Sequence, residues 1–171
     1  MADAGIMETT QFLTFKLGDE VFALNITKIR EVLDFIPVTK VPRTPEFMRG
    51  VSNLRGNVVP VVDLRLMLGL SKTERTINTC IIITEVTVDD ETSVLGVLAD
   101  AVQEVLDFEA DRIEPAPRIG MRLNTEFIRG IAMRDNSFII ILEIDRIFST
   151  EQFSMVRAVQ DQEKRNAAKT V

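Results

Sequence analysis

The chain has 171 residues, 46% apolar and 27% charged, which fits one compact domain or two small intimate ones and excludes a disordered or membrane-embedded chain. Histidine is absent and there is one cysteine, which removes the usual general base, the commonest zinc ligand, a phosphohistidine and an intrachain disulfide. A net charge of −6, with no Tyr or Trp to stack bases, argues against a nucleic-acid partner.

The opening MADAGIMETT carries two acidic residues and no basic one, so it does not read as a signal peptide, and the cell interior is expected. Phe12, Thr14 and Lys16 alternate with Leu13, Phe15 and Leu17, then Gly18-Asp19 offers a turn before Val21–Leu24, predicting a first hairpin. Pro45 to Arg49 reads as a helical turn with proline near its start, repeated at Thr125 to Arg129. Asn57–Leu64 is rich in valine, as buried strands are. Asp89-Asp90 reads as the turn between strands Ile81–Val88 and Ser93–Leu98, and not as a phosphoacceptor pair. Cys80, in the run CIIIT, is expected as a buried strand residue. The loop Pro115 to Met121, with two prolines and a glycine, is expected at the surface. Ser137–Ile144 predicts another strand. Ser149-x-x-Gln152 is a capping box, and Phe153, Val156 and Val159 follow at helical spacing, so the tail should be an amphipathic helix on the strands.

The chain repeats itself. Residues 47–68 align without a gap on 127–148 at an offset of 80, matching Phe47 with Phe127, Arg49 with Arg129, Gly50 with Gly130, Val62 with Leu142 and Asp63 with Glu143. A second block aligns at an offset of 73, where Ile29, Glu31, Val32 and Leu33 meet Val102, Glu104, Val105 and Leu106. Two blocks in the same order point to duplication. The predicted fold is mainly β: two five-stranded Greek-key or SH3-like barrels, one from about 12–75 and one from about 77–148, within a domain over 1–150. Residues 151–171 form the C-terminal helix and tail. Charge is uneven, with nine basic and five acidic residues from Lys28 to Arg75 but ten acidic and one basic from Glu85 to Glu114. Mixed solvated faces and two ends that fit different partners both account for this.

The motif NLRGNVVPVVDLRLMLGL resembles the CheW family of chemotaxis coupling proteins. So do FLTFKLGDEVFALNITKIREVL, and DAVQEVLDFEADRIEPAP followed by FIRGIAMRDN, from about Phe12 to Phe148. The resemblance implies two intertwined five-stranded barrels, no enzymatic activity, no cofactor, and a cytoplasmic adaptor recruited to membrane-receptor arrays. It implies as partners the regulatory domain of the histidine kinase CheA, in a two-component pathway, and the cytoplasmic tips of chemoreceptors. With no receiver domain or kinase core in view, the related CheV fusion and CheA itself are disfavoured.

The resemblance places Ile29, Glu31, Val32, Arg55, Gly96, Val102, Val105 and Gly130 on the receptor side, and Val38, Lys40, Arg43, Gly50 and Ile119 on the kinase side. The residues themselves leave alternatives. Arg55 is replaced by Asp135 in the second copy, so a Glu31–Arg55 pair is expected in the first copy alone, either as a functional pair or as an exposed pair of little worth. Pro60, where the second copy has Ile140, marks either a bulge or an edge left open for a partner. Ile119 is an apolar loop tip or folds back onto the core. The glycines permit close approach of another backbone, or turn a tight corner. Ile29 and Val32 are by pattern alone core residues. Two rival functions stand beside the adaptor. An enzyme would have to use Asp63 with Glu143, for which structural ion pairing with Arg65 and Arg146 is the better account. A small-ligand sensor could use a cleft between barrels.

Overall fold

The computed structural model describes residues 9–115 and 126–169. Its strands are β1 (Thr9–Leu17), β2 (Glu20–Asn25), β3 (Ile29–Asp34), β4 (Met48–Leu54), β5 (Asn57–Val62), β6 (Cys80–Val88), β7 (Glu91–Ala99), β8 (Ala101–Glu109), β9 (Ile128–Arg134) and β10 (Ser137–Leu142). Helices α1 (Leu64–Met67) and α2 (Ile144–Ile147) are single turns, and α3 (Thr150–Lys169) is long. The hairpins close on two-residue turns, Gly18-Asp19, Arg55-Gly56, Asp89-Asp90 and Asp135-Asn136. In the last three both residues have positive φ, the geometry that matches strand twist. The Asp89-Asp90 turn is thus where the sequence placed it.

Two five-stranded sheets curl against each other, ordered β8-β1-β2-β10-β9 and β3-β6-β7-β5-β4. Replacing each first-copy strand by its second-copy counterpart turns one order into the other. The registers agree too. Gly50 faces Val61 and Met48 faces Val62 across a bulge, as Gly130 faces Ile141 and Ile128 faces Leu142. The bridge Thr39–Val51 is matched by Glu114–Ile131. The duplication is therefore structural, and Gly50 and Gly130 occupy equivalent strands.

A boundary near residue 76 separates the copies but not the sheets. Hairpin β1–β2 pairs with β8 and β10 of the second copy, and β3 pairs with β6, so each sheet draws strands from both copies. The barrels are thus intertwined, as the family resemblance implies, and 12–75 and 77–148 mark the two copies in sequence. The cause lies in the hairpins: each one pairs outward with the other copy's strands, leaving its own copy's remaining strands to the opposite sheet.

Alternation along the strands then builds three cores. In β1, Phe12 faces the interior of its own barrel with Ala23, Phe108, Ile139 and Ile141, while Leu13, Phe15 and Leu17 face a larger core shared by the two sheets. In β6, Ile81 and Ile83 face the second barrel's interior and Ile82 and Val86 the shared core. Both faces of these strands are buried, so they read as continuous apolar runs. Across the shared core two half-buried ion pairs sit at equivalent places with opposite polarity: Arg65 to Asp100 at 2.7 Å and Asp145 to Lys28 at 2.7 Å. Asp100 also accepts from Gly18 N at 2.6 Å and Asp145 from Thr87 N at 2.9 Å, tying each α1 or α2 turn to a hairpin.

Several local expectations change. Pro45–Arg49 is one hydrogen-bonded turn, Met48 N to Pro45 O, and the strand starts at Met48. Asp63 and Glu143 are the N-cap residues of α1 and α2, and Asp63 pairs with Arg49 instead of Arg65. Cys80 is half-buried at the start of β6. The capping box holds: Ser149 Oγ accepts from Gln152 N and Gln152 Oε1 from Ser149 N, each at 3.0 Å. Helix α3 then buries Phe153, Val156 and Val159. No described helix is long and apolar enough to cross a membrane.

Candidate interaction surfaces

The receptor-side candidates separate into three sets. Ile29 and Val102 pack against the shared core, while Val32 lies opposite Ile82 and Val105 opposite Leu13, both shared-core residues. Opposed residues of a ladder share a face, so all four lie on the shared-core face of the edge strands β3 and β8. There Val32 is 39% and Val105 47% exposed, which carries the apolar core out to the surface as a groove lip.

Glu31 points to the other face of β3 and pairs with Arg55 of the β4–β5 turn. These are the first and last strands of the sheet, so the pair bridges the barrel seam. The expectation that only the first copy could do this is wrong. Glu104 on β8 pairs with Arg134 on β9, bridging the other seam. Its arginine comes one position before the turn, where the first copy has Leu54, and a position-for-position comparison with Asp135 overlooks it. The copies still differ: Arg55, 67% exposed at the side chain, stands in left-handed backbone (φ 51°), where its counterpart Asp135 suits the conformation far better.

The third set is internal. Gly96 and Gly130 are buried, and so is Gly50 from the kinase-side candidates. A Cβ on Gly96 would lie 2.7 Å from Ile81 Cγ2, on Gly130 2.6 Å from the Glu114 carbonyl oxygen, and on Gly50 2.6 Å from the Thr39 carbonyl carbon. The close approach these glycines permit is made by this chain, which corrects their reading as surface contacts.

On the kinase side, Gly50 lets Thr39 and Lys40 lie flat on β4, held by Thr39 N to Val51 O at 2.8 Å and Ser52 Oγ to Pro37 O at 2.8 Å. Val38 is thereby turned into a pocket of about 340 Å³ with Phe35, Pro37, Arg49, Arg75 and Leu98, where the Arg75 guanidinium stacks 4.3 Å from the Phe35 ring centre. Lys40 and Arg43 are exposed beside it, without an ion pair to another described residue. Arg43 is also left-handed (φ 63°). Ile119 lies outside the described residues.

Pro60 is not an open edge, because β5 is internal to its sheet and Pro60 is buried. Its effect is to shorten a ladder. Where Ile139 to Leu142 pair with β2, only Val61 and Val62 pair with β7. The strands splay beyond that point into a cleft of about 450 Å³ with Val58 and Asn57 on one side and Ser93 and Val94 on the other. Helix α3 supplies its outer wall, and Gln160 Nε2 donates to the Val58 carbonyl at 3.2 Å. Glu31 and Arg55 also line this cleft. This cleft is not legible in the sequence, because nothing local to α3 says which strand it covers.

Two curled sheets that carry apolar lips, seam ion pairs and small open clefts define a protein-interaction module. Residues 11–152 match the model of the CheW-like domain, and the chain belongs to that family. It is 33% identical over 153 residues to the chemotaxis protein CheW of Klebsiella aerogenes, covering 90% of each chain. It is 36% identical over 139 residues to the probable chemotaxis protein CheW of Rhizobium etli, covering 81% of this chain and 87% of that one. The fold is similar to that of the scaffolding protein TtCheW from Thermoanaerobacter tengcongensis, with a TM-score of 0.73, 33% identity, and coverage of 85% of this chain and 96% of that one.

Proposed function

We propose that this chain is a non-catalytic adaptor that couples chemoreceptors to the histidine kinase CheA in the cytoplasm. The observation that carries this reading is Arg55. A large cation is held in left-handed backbone at a cost of about 1 kcal/mol, to make a pair whose exposed partners contribute about 1 kcal/mol or less. Stability alone does not account for that choice. A binding role does, because the pair lines the open cleft and Glu31 adjoins Val32 on the exposed apolar lip of β3. In this reading the lip takes a receptor helix, and Glu31 with Arg55 fixes its orientation. Val38, Lys40 and Arg43 take the kinase regulatory domain, Gly50, Gly96 and Gly130 support these surfaces from beneath, and Ile119 belongs to a second kinase contact.

A charge-swap cycle tests the receptor half. Glu31→Lys is expected to weaken binding to a receptor cytoplasmic fragment about tenfold, and adding Arg55→Glu should recover part of the loss, measured by titration calorimetry. Strictly additive losses would mean that the two residues do not act as a pair.

A further inference from the structure

The C-terminal helix covers one barrel only. It lies against β5, burying Phe153, Val156 and Val159 in the shared core, with Val58 packed on the same cluster. By the repeat, Val58 corresponds to Phe138 on β10, whose face continues through Ile140 and Leu142 into that core. No described helix reaches Phe138. The segment that follows α1, residues 68–79, contains no helix and leads directly into β6. Phe138 is consequently 60% exposed, and so, also at 60%, is Met133, its partner across the β9–β10 hairpin. A phenylalanine and a methionine therefore lie side by side in water as a small exposed apolar patch.

The surroundings of the two seats differ in sign. The covered one is rimmed by Arg30, Arg55, Arg157 and Lys164 against Glu31 and Asp161. Near the bare one the equivalent strands and turns bring Asp19, Glu20, Glu104 and Asp135 against Lys16 and Arg134, with Arg134 paired to Glu104 and Asp135. Met133 shares a pocket with Asp107, Glu109 and Arg112, so carboxylates remain in excess. Ile139 pairs with Val21, which sets Glu20 level with Phe138. We propose that the outer face of the β9–β10 hairpin is a docking seat for a basic amphipathic helix of a partner protein, which would occupy on this barrel the place that α3 occupies on the other. The apolar anchor asks for a helix stripe, as Val58 receives one, and the carboxylate rim asks for lysines or arginines beside it. A second copy's α3 is a poor occupant, because its apolar stripe is already buried on its own barrel.

The test uses the full chain, isotope-labelled, and a synthetic 20-residue alanine-rich helical peptide with Phe, Val and Val at the spacing of Phe153, Val156 and Val159 and about four lysines flanking that stripe. A control peptide carries glutamates in place of the lysines. The lysine peptide is expected to shift amide resonances of β9–β10 and of the Gly18–Glu20 turn, more weakly at high salt. The glutamate peptide should not bind. Phe138→Ser should weaken binding about tenfold with an unchanged melting temperature, and Met133→Ser less. Shifts gathered elsewhere, equal binding by Phe138→Ser, or no shift up to about 1 mM peptide would each overturn the proposal. So would concentration-dependent dimerisation that Phe138→Ser abolishes, since the seat would then belong to a second copy.

Discussion

Gly50→Ala is expected to lower stability by about 3 kcal/mol, which for a domain of this size is a fall of roughly 6–12 °C in melting temperature. Two independent effects add at this position. Its φ of 142° is a backbone conformation that L side chains rarely adopt, and the new methyl group would press into the Thr39 carbonyl, with Lys40 Cα 3.0 Å away. Neither obstacle is the tip of a flexible side chain. Relief would have to come from moving the 37–40 segment off β4, which breaks the Thr39–Val51 bridge and the Ser52–Pro37 hydrogen bond. Gly56→Ala is the control. That glycine also has positive φ, 88°, but nothing lies within 4 Å of an added Cβ, so about 1 kcal/mol is expected. Thermal melts of the two variants measure the difference. Equal losses would show that the crossing of chain over Gly50 contributes nothing. Because Val38 and Lys40 lie on the crossing segment, a stable Gly50→Ala protein should also bind the kinase regulatory domain more weakly.

Asp63→Ala is expected to cost about 3–5 kcal/mol in urea unfolding, because Asp63 is a buried carboxylate that holds Arg49 of the Val38 pocket from beneath. Its side chain is 0% exposed and fully employed. It accepts from Arg49 Nη1 at 3.1 Å, Thr73 N at 3.0 Å, Thr73 Oγ1 at 2.8 Å and Leu66 N at 3.4 Å. Removing it leaves a part-buried guanidinium and three further donors without this acceptor. It also releases the 70–76 segment, which Asp63 pins through Thr73, and with it Arg75 at the edge of the Val38 pocket. The counterpart Glu143 makes no cap hydrogen bond, so Glu143→Ala should change stability by only about 0.5 kcal/mol. Comparable losses at the two positions would contradict the view that the duplicated carboxylate has been kept for structure on one side only.

Much of the fold was legible because duplication leaves a signal that composition does not. The Gly50/Gly130 and Asp63/Glu143 matches mark equivalent strands, and the capping box at Ser149 marks the start of α3. Strand exchange between the copies was implied by the family resemblance but not by the residue pattern. The apolar runs of β1 and β6 are buried on both faces, so their pattern does not say which neighbours they pair with. At the site, Glu31 and Arg55 could be paired from the sequence, but Glu104 and Arg134 could not, because the second arginine has moved by one residue. A missing Cβ looks the same from the sequence whether a partner's backbone approaches it or, as here, the chain's own carbonyls and the Ile81 side chain do. The cleft under α3 depends on the tertiary position of Gln160 and on a ladder cut short by Pro60.

The central claim, that the chain acts only by linking receptor to kinase, is tested most directly by reconstitution. Purified CheA, a receptor cytoplasmic assembly and this protein would be combined in all pairings, and kinase autophosphorylation followed with labelled ATP. Strong stimulation is expected only when all three are present, and Glu31→Lys should remove most of it while kinase binding persists. Full stimulation of the kinase by receptor in the absence of this protein would contradict the claim.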